Sequence, residues 1–147
     1  MKKILFITTM CLFIVACSKS DNGNNNNQFL PNVVFDTGGL INTNLPQFNS
    51  LQFPGNHILL SNNYGLNGVV VYYSGSSYNA FELSDPNHAL EGCSILTING
   101  VIATCGCLDA KQYDILTGQP QQGTTGQYGL KRYFVEVNGN IIRVYNN

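Results

Sequence analysis

The sequence carries little charge. Seven Lys/Arg and eight Asp/Glu serve 147 residues, and they form no basic patch. That excludes the electrostatic footprint of a nucleic-acid-binding protein. Helical periodicity is missing as well, since no stretch keeps its apolar residues at a 3.6-residue repeat for three turns. There is no internal repeat. Catalytic signatures are thin. Ser74-Gly75-Ser76-Ser77 lacks the strand–turn–helix context of a nucleophile elbow. Gly38-Gly39 lacks the following helix of a phosphate cradle. Asp36, Glu82, Asp85, Glu91, Asp109 and Asp114 are scattered, with no paired-carboxylate motif. The reading is of a protein that is not an enzyme. Beyond residue 16 no apolar run approaches the length of a membrane span.

What is present begins at the N terminus. Lys2 and Lys3 precede an apolar run over residues 4–16, broken only by Thr8 and Thr9. The run is too short to span a bilayer comfortably and reads as a signal-peptide core. It ends in Ile14-Val15-Ala16-Cys17, which resembles a bacterial lipobox. The resemblance implies diacylation of the Cys17 thiol, cleavage before Cys17 and acylation of the new amine. Residues 17–28 then form a tether rich in Asn, which buries nothing to offset its chain entropy. Its flexible reach is about 15–20 Å. In the sorting pattern of Gram-negative lipoproteins, Ser18 after the lipidated cysteine points to the outer membrane. The expected location is therefore the bacterial cell envelope, with the membrane held through the lipid on Cys17. Without residues 1–16 the chain keeps five cationic and eight acidic side chains, a net charge of −3.

Residues 29–147 read as one all-β domain, either a barrel or a small sandwich. Strands are expected at residues 32–35, 40–41, 57–60 and 68–73, the last a β-branched and aromatic run suited to a central position. Residues 78–83 alternate. Residues 95–98 and 101–104 form a hairpin about Asn99-Gly100, a signal for a type I′ turn. Residues 133–137 and 141–145 repeat it about Asn138-Gly139-Asn140. Residues 45–54, bounded by two prolines, leave room for one irregular helical turn.

The segment HALEGCSILTINGVIATCGC, residues 88–107, holds one of two histidines and three of five cysteines. An exported domain meets an oxidising compartment, where paired cysteines become disulfides. Cys93 can pair with Cys105 or with Cys107, which point the same way from an extended chain. Closing such a loop contributes roughly 2–4 kcal/mol in the chain-entropy model. His88, Cys93, Cys105 and Cys107 also make a Cys₃His set chemically adequate for zinc, although no C-x-x-C knuckle is present. His57 reads as a surface or strand-edge residue.

Asp85-Pro86-Asn87-His88 leads into Gly92-Cys93, an Asn-Gly hairpin, Cys105-Gly106-Cys107, Tyr113-Asp114, Thr117-Gly118, Pro120 and Gly123. Leu130, Tyr133-Phe134-Val135 and a last hairpin close the series. This order of motifs in residues 56–147 resembles a Rieske domain. The resemblance implies a small antiparallel β barrel or sandwich with a two-loop tip. In that family a C-x-H loop and a C-x-x-H loop hold a [2Fe–2S] cluster, two Cys on one iron and two His on the other.

The ligands depart from the pattern. Cys105 stands at the second ligand Cys, but Leu108 stands at the second ligand His and has no lone pair. No Cys precedes Cys93 in loop one, so Asp85 or His88 takes the first Cys position. Gly92-Cys93 and Cys107 match instead the extra cysteines that clasp the two loops in high-potential members. The resemblance thus implies a Cys93–Cys107 disulfide, with Tyr113-Asp114 packing the base of loop two. No metal and no cofactor are expected. The alternative is a [2Fe–2S] electron-transfer protein with non-standard ligands, His88 and Cys105 first, then Asp85, Cys93 and Cys107. A third reading is a thiol redox role for the cysteine trio. The leading expectation is a non-catalytic binding or structural module. Its partner is an unknown envelope protein, and its tip exposes Leu90 and Leu108.

Overall fold

The computed structural model describes residues 27–147. The expected signal peptide, the expected lipidation at Cys17 and the expected tether up to residue 26 lie outside the described residues. Ten strands form: β1 (Phe35–Asp36), β2 (Ile41–Asn42), β3 (His57–Leu60), β4 (Val69–Tyr73), β5 (Tyr78–Glu82), β6 (Leu96–Asn99), β7 (Ile102–Cys105), β8 (Gln112–Asp114), β9 (Arg132–Asn138) and β10 (Ile141–Asn146). The only helical pieces among the described residues are 3₁₀ turns at Asn49–Gln52 and Gly92–Ser94. The all-β expectation holds.

The larger sheet runs β1-β10-β9-β5-β4-β3, with β2 also paired to β10, and the smaller runs β6-β7-β8. Their pairings are antiparallel. β4 lies inside its sheet, and the two-residue alternation of strands explains its composition. Val70 and Tyr72 face one core, with Phe81, Leu83, Leu96, Ala103, Cys105 and Tyr113. Val69 and Val71 face a second, with Ile41, Leu51, Ala80, Tyr133, Ile142 and Val144. A strand buried on both faces reads as a continuous apolar run, which is what residues 69–72 are. The second core collects β3, β4, β5, β9 and β10 of one sheet, so that sheet curls over itself. The first core joins it to the smaller sheet, which carries the tip.

Three local expectations are corrected. β1 begins at Phe35, because Asn32 and Val33 bond Asn146 and Asn147 irregularly rather than by strand pairing. β8 carries no strand pattern in sequence and exists because Ala103 pairs with Tyr113. The first hairpin turn is shifted by one residue, and the second is shortened from three residues to two. Asn99 pairs with Ile102 and Asn138 with Ile141, so Gly100-Val101 and Gly139-Asn140 are the loops. Only the glycines take positive φ, 60° and 58°, as a type II′ turn requires of its first central residue.

Candidate functional site

Two loops close one end of the smaller sheet. Loop one spans residues 84–95, anchored where Ser84 bridges Ile95. Loop two spans residues 106–111 between β7 and β8. In loop one, the Glu91 backbone N–H donates to Ser94 Oγ (3.0 Å), and Ser94 Oγ donates to the Glu91 carbonyl (2.8 Å). This cap fixes the turn that carries Cys93. Loop two passes so close that a Cβ on Gly106 would sit 2.9 Å from the Cys93 carbonyl oxygen. Only glycine permits that approach.

Cys93 and Cys107 are joined, with S–S 2.06 Å and Cα–Cα 4.8 Å. Cys105 is free and buried. The strand ends at Cys105, so the extended geometry that would aim residues 105 and 107 alike is lost. Cys107 meets Cys93, and Cys105 turns into the core, its thiol donating to the Cys93 carbonyl (3.6 Å). Burial, with the Asp85 carboxyl as a lesser neighbour, pushes the Cys105 thiol up to about 11.

Beneath the loops lies a buried polar layer. Asp85 is fully buried. Its Oδ1 accepts from Tyr113 Oη (2.6 Å) and the Asn87 backbone N–H (2.9 Å). Its Oδ2 has no partner among the described residues. Burial drives the Tyr113 hydroxyl far above its ordinary range, so it remains a donor. Lys111 is nearly buried and donates to Asp109 Oδ2 (2.6 Å) and the Asn87 carbonyl (3.1 Å). Asn87 ties this layer to a third loop: its Nδ2 donates to Tyr113 Oη (3.0 Å) and the Tyr128 carbonyl (2.7 Å).

His88 is half-buried at the outer level. One of its ring nitrogens, Cys93 Sγ and Cys107 Sγ lie within 4.8 Å of one another. The structure thus splits the Cys₃His set. His88, Cys93 and Cys107 converge, and Cys105 sits deeper with Asp85. His57 is on β3, paired with Tyr72 of β4 within the larger sheet. Leu108 projects into solvent, 107% exposed, and Leu90 and Ile95 are partly exposed. Leu90 and Ile95 line a shallow groove of about 280 Å³ with Leu66.

The residues present do not fit a four-ligand [2Fe–2S] set. Leu108 offers no lone pair and stands in solvent. The neighbour of Cys105 is a carboxyl group rather than a second thiolate. The sulfurs of Cys93 and Cys107 are bound to each other. Sequence reasoning missed Asn87, Lys111 and Tyr128. Only Asn87, between Pro86 and His88, sat in a stretch already singled out.

No protein-family model matches the sequence, and no curated protein matches it. Among solved structures the chain is similar to the ferredoxin of carbazole 1,9a-dioxygenase from Nocardioides aromaticivorans IC177. That likeness has 21% identity over 65% of this chain and 88% of that one, with a TM-score of 0.43. It is also similar to a chain in a complex of reduced oxygenase and oxidized ferredoxin in carbazole 1,9a-dioxygenase. There the identity is 21% over 80% of this chain and 94% of that one, with a TM-score of 0.45.

Proposed function

We propose that the chain is an envelope lipoprotein, held to a bacterial outer membrane by lipid on Cys17. Its Rieske-like domain has given up an iron–sulfur cluster and presents the two-loop tip as a binding surface for another envelope protein. The observation that carries this reading is the tip itself. Cys93–Cys107 locks the loops together, while Leu108 stands in solvent at the position of a second ligand histidine. A leucine moved from water into a partner's pocket contributes about 1.5–3 kcal/mol. Loops already fixed by a disulfide, the Glu91–Ser94 cap and the Asn87 bonds lose little further freedom on docking.

The test is a native mass spectrum of the mature protein, purified without reductant and then incubated anaerobically with iron and sulfide. The expected mass is two hydrogens below that of the fully reduced chain, with no iron before or after incubation. A mass raised by two irons and two sulfides, with visible absorption lost in Cys105→Ser, overturns the reading and makes the chain an electron-transfer protein.

A further inference from the structure

A docking surface does not account for one cluster of donors. His88, Cys93 and Cys107 bring a ring nitrogen and two sulfurs within 4.8 Å of one another. With the disulfide closed, the sulfurs bind each other. Once reduced, they are two thiols facing an imidazole. We propose that reduction of Cys93–Cys107 converts this corner of the tip into a zinc site, with His88, Cys93 and Cys107 as its three protein ligands.

The geometry suits the ion. Tetrahedral zinc, with Zn–S near 2.3 Å and Zn–N near 2.0 Å, sets its ligand atoms roughly 3.5–3.8 Å apart. Donors already within 4.8 Å need move only about 1 Å inward once the sulfurs separate. The imidazole is tied down beside the sulfurs. His88 Nδ1 lies 3.2 Å from the Ala89 carbonyl oxygen. A carbonyl only accepts, so Nδ1 carries the proton and Nε2 keeps the lone pair of the neutral ring. Metal-binding histidines are commonly steadied by such a bond at the other nitrogen.

Access agrees. Cys93 is exposed, so a reductant and an ion can reach the pair. The Asp109 carboxylate, gripped by Lys111, lies near enough to His88 for their charges to interact. Its charge is already paired with Lys111, so the fourth coordination position is left to water. Cys105, turned inward under the Cys93 carbonyl, takes no part. That separates this site from the cluster ligand set, in which Cys105 would be essential.

The chemistry balances with a dithiol as reductant. Its two thiols pass two electrons and two protons to Cys93 and Cys107 and leave as a disulfide. Zinc then displaces the two thiol protons, which are released to water. Reoxidation requires that the ion leave first.

The inference rests on the tip being free of an iron–sulfur cluster, and the experiment separates the two ideas. Full-length protein in detergent is divided, and half is reduced with a phosphine that is then removed under nitrogen. Both halves are titrated with zinc against a chromophoric chelator, and with cobalt(II) to record sulfur-to-cobalt charge transfer. The reduced protein is expected to bind one zinc per chain, at least about 100-fold more tightly than the oxidised protein. His88→Ala leaves the disulfide in place and is expected to weaken zinc binding after reduction by more than about tenfold. Cys105→Ser is expected to change nothing. Zinc uptake indifferent to reduction or to His88→Ala, or lost in Cys105→Ser, overturns the site. Failure of the reduced wild type to bind does the same. Iron and sulfide in the protein as purified overturn the earlier reading instead.

Discussion

Among the described residues, Asp85 holds a buried side-chain oxygen without a partner. Its carboxyl group is fully buried, and one oxygen depends on Tyr113 Oη and the Asn87 N–H. Removing the partner of a buried acceptor costs about 1–3 kcal/mol. Tyr113→Phe should therefore lower unfolding stability by about 1–3 kcal/mol in urea titrations. A loss below about 0.5 kcal/mol would mean that water or a rearranged side chain replaces the hydroxyl. None of this could be read locally, because Tyr113 lies 28 residues from Asp85. The sequence marked Asp85 only as a stand-in for a cluster ligand. Its actual neighbours follow from the pairing of β7 with β8, which brings Tyr113 under loop one. Nor could the residues alone choose between Cys105 and Cys107 as the partner of Cys93. That choice came with the Rieske resemblance. Its physical cause, the end of the strand at Cys105, appears only in three dimensions.

Among the strands, those with strong β-branched or alternating patterns were legible, because burial on one or both faces writes itself into composition. β4 and β5 are the clear cases, and the β9–β10 hairpin differs from expectation only at its turn. The short strands β1, β2 and β8 were not legible at their true bounds, since two or three residues carry no period. β1 is held from outside. Arg143 of β10 grips Asp36 with two nitrogens, Nη2 at 2.6 Å and Nε at 3.0 Å, and reaches Glu136 on β9 at 2.9 Å. This guanidinium, with the Gly38 N–H, lowers the Asp36 carboxyl to about 2. A depressed acid stabilises the fold above its unfolded value near 3.8, and that contribution fades as pH falls toward 2. Asp36→Asn should accordingly be less stable at neutral pH and lose less stability than the parent on acidification from about pH 4 to 2. Chemical denaturation at stepped pH measures both slopes; parallel slopes would mean the pair contributes nothing.

Among the described residues the molecule is a low-charge domain of two cores sharing the β4–β5 pair, with one covalent tie, at the tip. That tie closes a loop with a sequence separation of 14. The chain-entropy model assigns about 3 kcal/mol to it. For a domain of this size that corresponds to roughly 10 °C in Tm. The double variant Cys93→Ser, Cys107→Ser should still fold and melt about 10 °C lower by calorimetry. An unchanged Tm would mean that the β6–β7 hairpin alone sets the loop, and that the disulfide matters only to the tip's chemistry.

One contact bears on how such a domain would sit above a membrane. The Asn27 side chain donates to the carbonyl of Pro86 (2.7 Å), and Phe29 lines a shallow groove with Asn87, Lys111 and Tyr128. The chain therefore joins the domain at loop one, not at the opposite pole. If Cys17 carries the lipid, as proposed above, the anchored end of the chain enters the fold beside the disulfide corner, and we propose that a partner of the tip lies in or near that same membrane.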